Sequence, residues 1–315
     1  MAAKPNQPLP AGHRLPGYRL LQLLARGGFS FVYLAEDEDK VQVAIKEYLP
    51  AALSVRTGAA PAPSPSEHDA PSFRHGLKCF FEEGRVLASL AHPNVVRVLN
   101  FFRANETAYM VMRYERGGTL KQRLQRTNAP LAEGWLRRTF AQLLNGLREV
   151  HARKLLHLDI KPANIYLRED AAPVLIDFGA SRQMLGGDRG SLRPVFTPGL
   201  AAPEVQGERA GLGPWSDVYS IGATLYACMF MAPPPPAAER LAADRCVPAR
   251  KAGAGSYSPA LLDIVDCCLR LDPTQRPQSL LALQKALLEP GQHAGPLPED
   301  PKAKLRWIMG VNCRP

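Results

Sequence analysis

The sequence is poor in the features that mark several large protein classes. Its six cysteines (Cys79, Cys228, Cys246, Cys267, Cys268, Cys313) form no CxxC pair and have no accompanying histidine spacing. That argues against a zinc framework, and six in 315 residues are too few for a disulfide scaffold. Reduced, mostly buried thiols in a cytoplasmic protein are expected. No apolar run is long. The most apolar, residues 221–232, stops at four prolines, short of the roughly 20 residues a bilayer demands. Residues 1–16 are polar and proline-rich, unlike a secretory leader. Acidic residues are outnumbered, 29 against 39 Lys plus Arg, for a net charge of +10. A basic surface favours anionic partners. The positive charges are scattered, however, with no basic run interleaved with aromatics, so nucleic-acid binding is not expected. There are no internal repeats.

What is present suits a globular chain of one or two domains, with 46% apolar and 22% charged residues. Residues 1–17 read as a disordered lead. Short β-branched, aromatic and leucine-rich runs at 18–25, 31–35 and 41–46 predict three antiparallel strands. Residues 50–75 hold Pro50, Pro61, Pro63, Pro65 and Pro71 among Ala, Ser and Gly, the composition of a mobile insertion. A helix is predicted over 76–90, broken by His92-Pro93-Asn94, and strands over 95–102 and 108–114. Past Gly117-Gly118 the character turns helical. Leu136, Phe140, Leu143, Leu144, Leu147 and Val150 recur at the spacing of one buried helix face. Short strands are expected at 165–167 and 174–176, and helices at 215–232, 258–269 and 279–288. Residues 291–315 form a Pro/Gly-rich tail. The organisation implied is α+β: a five-stranded antiparallel lobe with one helix (18–112), then a mostly helical lobe (113–290).

The chemistry concentrates in His157-Leu158-Asp159-Ile160-Lys161-Pro162-Ala163-Asn164, followed by Asp177-Phe178-Gly179. Phosphoryl transfer to a hydroxyl needs an acid–base group, a cation for the phosphoryl group and oxygen ligands for a metal. Asp159, Lys161 and the pair Asn164 and Asp177 are of those types. Upstream, Ala25-Arg26-Gly27-Gly28-Phe29-Ser30-Phe31-Val32 lies between the first two strands, where glycine brings backbone N–H groups against phosphates. A plain hairpin carries Gly-Gly as readily. Val43-Ala44-Ile45-Lys46 ends an apolar strand in a lysine. Such a lysine either snorkels into water or pairs with a helix carboxylate, Glu83 or its neighbour Glu82.

Taken in order, the glycine loop, VAIK, helix glutamate, HLDIKPAN, DFG, Ala202-Pro203-Glu204, Asp217 and Arg276 resemble the eukaryotic-type serine/threonine protein kinases over residues 18–290. Ile45-Lys46-Glu47-Tyr48-Leu49-Pro50 and Asn164-Ile165-Tyr166 look most like the bacterial branch. The resemblance implies a bilobal kinase fold, ATP with magnesium or manganese, and a role for each matching residue. Lys46 would hold the α- and β-phosphates and pair with Glu83. Asp159 would be the catalytic base, with Lys161 on the γ-phosphate and Asn164 and Asp177 on the metal. Ala25, Gly27, Gly28, Phe29 and Ser30 would cover the phosphates. Met112 would be the gatekeeper, the backbone of Arg113 and Glu115 would bond adenine, and Val32, Ala44 and Tyr166 would sandwich it. Asp217 would brace the catalytic loop, Glu204 would pair with Arg276, and Leu87, Val98, His157 and Phe178 would stack as a spine. Lys161 with Thr197 is the serine/threonine rather than the tyrosine pattern.

Three departures matter. Only Gly27 of the three usual loop glycines is kept, with Ala25 and Ser30 at the outer positions. Leu158 replaces the arginine that receives an activation-segment phosphate in the family, and the matching acceptor position is Arg193. Sensor and signal are absent together, which predicts activity without phosphorylation there, although Ser181, Ser191 and Thr197 stay open as modification sites. Thr119, Ala163 and Ala227 occupy the places where arginine-directed kinases carry acids, so neutral or acidic target sequences are expected. Partners are then protein substrates and an opposing protein phosphatase. A pseudokinase and an aminoglycoside-type small-molecule kinase are the competing readings. The first draws on Leu158 and the thin glycine loop, whereas the second normally lacks Ala-Pro-Glu.

Overall fold

The computed structural model describes residues 6–56, 60–178, 182–183, 196–206 and 211–288. They fall into two compact units, one from residues up to 92 plus 96–116, the other from 93–95 and 117 onward.

Alternation builds the first unit. Strands β1 (Arg14–Leu15), β2 (Tyr18–Arg26), β3 (Ser30–Asp37) and β4 (Gln42–Tyr48) precede a small β5–β6 pair (Ser54–Val55, Ser64–Pro65), helix α1 (Ala70–Ala88), β7 (Val98–Ala104) and β8 (Thr107–Arg113). The sheet runs β1-β2-β3-β4-β8-β7 with antiparallel neighbours. All five expected strands are there, and β1 adds a sixth. Phe31, Tyr33, Ala35, Val43, Ile45, Tyr109 and Val111 point to one face and bury there with Leu20. Each such large side chain contributes about 1.5–3 kcal/mol. The period of two puts Val32, Leu34, Ala44, Lys46, Met110 and Met112 on the other face.

Three expectations are corrected here. The lead is not disordered from residue 6 on: Leu9 and Leu15 are buried in the sheet's apolar cluster, and the Leu9 N–H bonds the Tyr33 hydroxyl at 3.1 Å. Proline content misled, because an apolar residue every few positions is enough to seat an extended strap. The insertion is likewise structured where described, through β5–β6. Helix α1 starts at Ala70 instead of residue 76, with Pro71 in its first turn, where a missing N–H costs no hydrogen bond. Its buried face carries Phe73, Leu77, Phe80, Gly84 and Leu87. Tyr48 packs between Phe73 and Phe80 at centroid distances of 5.3 and 5.7 Å, fastening the end of β4 to α1.

The second unit comprises β9 (Gly117–Thr119), α2 (Leu120–Thr127), α3 (Glu133–Ala152), β10 (Leu155–Leu156), a 3-10 turn (Pro162–Asn164), β11 (Ile165–Arg168), β12 (Pro173–Leu175), β13 (Arg182–Gln183), α4 (Pro203–Gln206), α5 (Pro214–Phe230), α6 (Ala237–Ala242), α7 (Ala249–Ala252), α8 (Pro259–Cys268) and α9 (Leu280–Leu288). The six apolar residues of the predicted helix face are all buried in α3. Gly146 lets α3 approach the 93–95 segment, since a Cβ there would lie 2.9 Å from the Asn94 carbonyl oxygen. Helix α5 is buried nearly all round, as its apolar run required. Cys228, Cys267 and Cys268 are buried and in no disulfide, and burial pushes the Cys228 and Cys268 thiols far up. Among the described residues, no helix is long and apolar enough to cross a membrane.

Candidate active site

In the second unit the 157–164 loop hangs from one carboxylate. Asp217, in the first turn of α5 and 0% exposed, accepts the backbone N–H of His157 at 2.9 Å and of Leu158 at 2.7 Å. His151 Nε2 completes the set at 2.8 Å. Burial works to raise the Asp217 carboxyl, but the His151 contact and the His157 N–H outweigh it and hold it below the usual range. Leu158 takes a left-handed φ of 62° with its side chain buried, a conformation that costs roughly 1–2 kcal/mol in an L-residue. Two Asp217 bonds flanking that position hold it.

The strained turn presents Asp159 to its partners. Lys161 Nζ lies 2.7 Å from Asp159 Oδ2, and Asn164 Nδ2 donates to the same oxygen at 2.8 Å and to the Asp159 carbonyl at 2.9 Å. Thr197 bridges the pair, accepting from Lys161 at 3.1 Å and donating to Asp159 Oδ1 at 3.4 Å. The Asp159 N–H donates to His157 Nδ1 at 3.3 Å, so that ring is neutral. Burial also drives its pKa below the ordinary value. The ring lies 4.4 Å from that of Phe178.

A divalent cation fits the donors present. With its amide nitrogen committed to Asp159, Asn164 offers the oxygen, and the Ile176 N–H to Asn164 carbonyl bond at 3.0 Å brings Asp177 close. An amide oxygen beside a carboxylate suits hard magnesium or manganese.

Glu204 and Arg276 form a bidentate pair at 2.7 and 3.0 Å, with Arg276 0% exposed. The other guanidinium N–H groups go to the carbonyls of Arg270, Trp215 and Leu271. Tyr166 lies on β11, opposite Thr119 and Val174.

In the first unit Lys46 Nζ lies 3.7 Å from Glu83 Oε1, both side chains nearly buried. Glu82 turns instead to Arg85 at 2.8 Å, so the choice between the two glutamates falls to Glu83. Ala44 pairs with Met112, and Val32 with Lys46, which gathers Val32, Ala44, Lys46 and Met112 on one sheet face. The β2–β3 turn is closed by the Gly27 N–H to Ser30 carbonyl bond at 2.8 Å, with Ala25 still paired to Val32 and Phe29 exposed. The Arg113 N–H is committed to the Arg97 carbonyl at 2.9 Å. Leu87 and Val98 are buried in this unit, as His157 and Phe178 are in the other. Gly179, Ser181, Ser191, Arg193 and residues 291–315 lie outside the described residues.

Nothing in the sequence marks His151, because a histidine near a helix end carries no signal of the carboxylate it meets. Arg56 is equally unmarked.

Comparison with known proteins agrees with this geometry. A family model for the protein kinase domain matches residues 18–288. A calcium/calmodulin-dependent protein kinase kinase of Caenorhabditis elegans is 32% identical over 68% of this chain, and this chain spans 41% of it. Serine/threonine-protein kinase B of Synechocystis is 31% identical over 69% of the chain, which spans 37% of it. The solved structure of PpkA-294 in its apo form superposes with a TM-score of 0.78 at 34% identity, covering 90% of this chain and 99% of that one.

Proposed function

The chain belongs to the protein kinase domain family, and from that premise we propose that it transfers the γ-phosphate of ATP to serine or threonine hydroxyls of proteins in the cytoplasm. The observation that carries the reading is the Asp159–Lys161–Thr197–Asn164 cluster, with distances of 2.7–3.4 Å. Asp159 takes the hydroxyl proton, and Lys161 neutralises charge on the γ-phosphate during transfer. Lys46, oriented by Glu83, binds the α- and β-phosphates, with Ala25, Gly27, Gly28, Phe29 and Ser30 over them. Val32, Ala44 and Tyr166 contact adenine and Met112 is the gatekeeper. Since the Arg113 N–H is taken, an adenine contact from Arg113 has to come from its carbonyl; the backbone of Glu115 supplies the other. Asn164 and Asp177 would hold magnesium or manganese, which would supply positive charge to offset that of the phosphates. Most of the rate comes from positioning and charge neutralisation.

Control sits away from the activation segment. The Leu158 side chain is buried, and its N–H is already held by Asp217. The loop is therefore braced without a phosphorylated residue. That brace also speaks against a pseudokinase, for which Leu158 was one of the two supports. Thr119 spends its hydroxyl on capping α2 through Gln122, and Ala227 is buried, which supports targets without arginine direction. An opposing protein phosphatase completes the proposed circuit.

The test is transfer from labelled ATP to serine, threonine and tyrosine peptide pools by wild type and Lys46→Met. Label on serine and threonine only, absent with Lys46→Met, is expected. Label on tyrosine, or on small molecules alone, would overturn the reading.

A further inference from the structure

Strand β4 carries Lys46 on one face and Glu47 on the other. Glu47 is 0% exposed, yet it is a carboxylate in an otherwise apolar face. Four hydrogen bonds hold it: Arg56 Nη1 and Nη2 at 2.6 and 2.8 Å, Tyr109 Oη at 2.7 Å and Tyr33 Oη at 2.8 Å. Arg56 is 2% exposed. Its remaining N–H groups go to the carbonyls of Gln7 and Pro61 and to Tyr33 Oη, at 2.8, 3.2 and 3.2 Å. All five donors are used. Asn6 closes the ring, accepting the Arg56 N–H at 2.6 Å and donating to the Ser54 carbonyl at 3.0 Å.

The stretch so anchored also grips the turn between β2 and β3. The Leu49 N–H bonds the Phe29 carbonyl and the Ala51 N–H bonds the Gly28 carbonyl, both at 2.8 Å. The Ser54 N–H returns to the Pro50 carbonyl at 3.1 Å, closing the turn that joins them to Arg56.

A buried carboxylate is costly unless every partner is in place. Two of the four bonds to Glu47 come from Arg56 and are made only when the stretch 49–56 is seated, and the strap at residues 6–9 holds Arg56 in turn through Asn6 and the Gln7 carbonyl. Seating them pins the carbonyls of Gly28 and Phe29 from outside, in a turn that lacks two of its usual glycines.

We propose that Arg56 and Glu47 are positioning residues for the nucleotide: they seat residues 49–56 against the 27–30 turn and strand β4, and so set the affinity for ATP without touching it. The proposal rests on the kinase reading above. It assigns the proline-rich insertion a role in substrate binding.

The experiment measures, on the full chain with magnesium, the Kd of a fluorescent ATP analogue and the KM values for ATP and for an acceptor peptide. The variants are Asn6→Ala, Tyr33→Phe and Arg56→Met, with unfolding followed in parallel. Weakening of ATP by about threefold in Asn6→Ala and by about tenfold or more in Arg56→Met is expected, with the peptide KM within about twofold of wild type. A merely structural clasp would lower stability and leave both KM values in place. Folded variants with unchanged ATP affinity, or with ATP and peptide affinity falling together, overturn the proposal. If Arg56→Met does not fold, Asn6→Ala and Tyr33→Phe decide it by the same criterion. A wild type that binds no ATP analogue overturns the kinase reading itself, and the proposal with it.

Discussion

Asp217 Oδ1 accepts the backbone N–H of Leu158 at 2.7 Å, holding a buried leucine in a left-handed conformation. In this loop a side-chain brace from helix α5 does the ordering. Removing that brace by Asp217→Ala strands three donors, each worth about 1–3 kcal/mol when buried without a partner. The expected outcome is a large drop in thermal stability together with loss of turnover. The milder His151→Gln should lower kcat several-fold, with ATP affinity unchanged. A His151→Gln enzyme whose kcat equals wild type contradicts the brace.

Enzyme treated exhaustively with phosphatase is expected to keep its activity within about twofold, because no cation at position 158 waits for a phosphate. Mass spectrometry of Ser181, Ser191 and Thr197 alongside the rate measurement checks this. Activity that appears only after one of them is modified defeats the prediction.

Gly199 has φ +80°, and a Cβ there would lie 2.5 Å from the Pro234 carbonyl oxygen. Gly199→Ala must therefore shift the turn two residues after Thr197, whose hydroxyl spans Lys161 and Asp159. Peptide phosphorylation should fall about tenfold or more and stability by about 1–3 kcal/mol. ATP binding should be preserved, and calorimetry separates the two.

Breaking the buried pair by Arg276→Ala leaves Glu204 uncompensated, at about 3–5 kcal/mol. Chemical denaturation is expected to show the midpoint shifted down with the slope unchanged.

Acid weakens the second unit through two groups acting in the same direction. Burial drives the His157 imidazole below its ordinary 6.5. The unfolded chain therefore takes a proton near that pH that the folded chain refuses. This contribution is complete above 6.5 and is lost as pH falls below it. Asp217 is held below its ordinary 3.8, so its contribution is present above that value and is lost as pH falls further. The unfolding temperature should be flat from about pH 7 to 8 and decline below about 6.5; a rise on acidification contradicts it.

Much of this was legible from residue order. The α3 face and the five strands follow from periodicity, Asp159, Asn164 and Asp177 stand out as candidates by side-chain chemistry at fixed spacing, and the role of Lys46 is what the resemblance in motif order implies. The clasp was not legible. Nothing local distinguishes Arg56 in a proline-rich stretch from a solvated arginine, because its five acceptors come from residues 7, 33, 47 and 61, brought together only by the folded sheet. His151 was hidden for the same reason, its partner Asp217 being 66 positions away.

The role of Asp159 as the base is tested most directly by single-turnover phosphate transfer by Asp159→Asn, measured beside ATP-analogue binding. Binding within about twofold of wild type and a transfer rate reduced by about 10²–10⁴, the contribution of a positioned acid–base group, are expected. Transfer at the wild-type rate would contradict it.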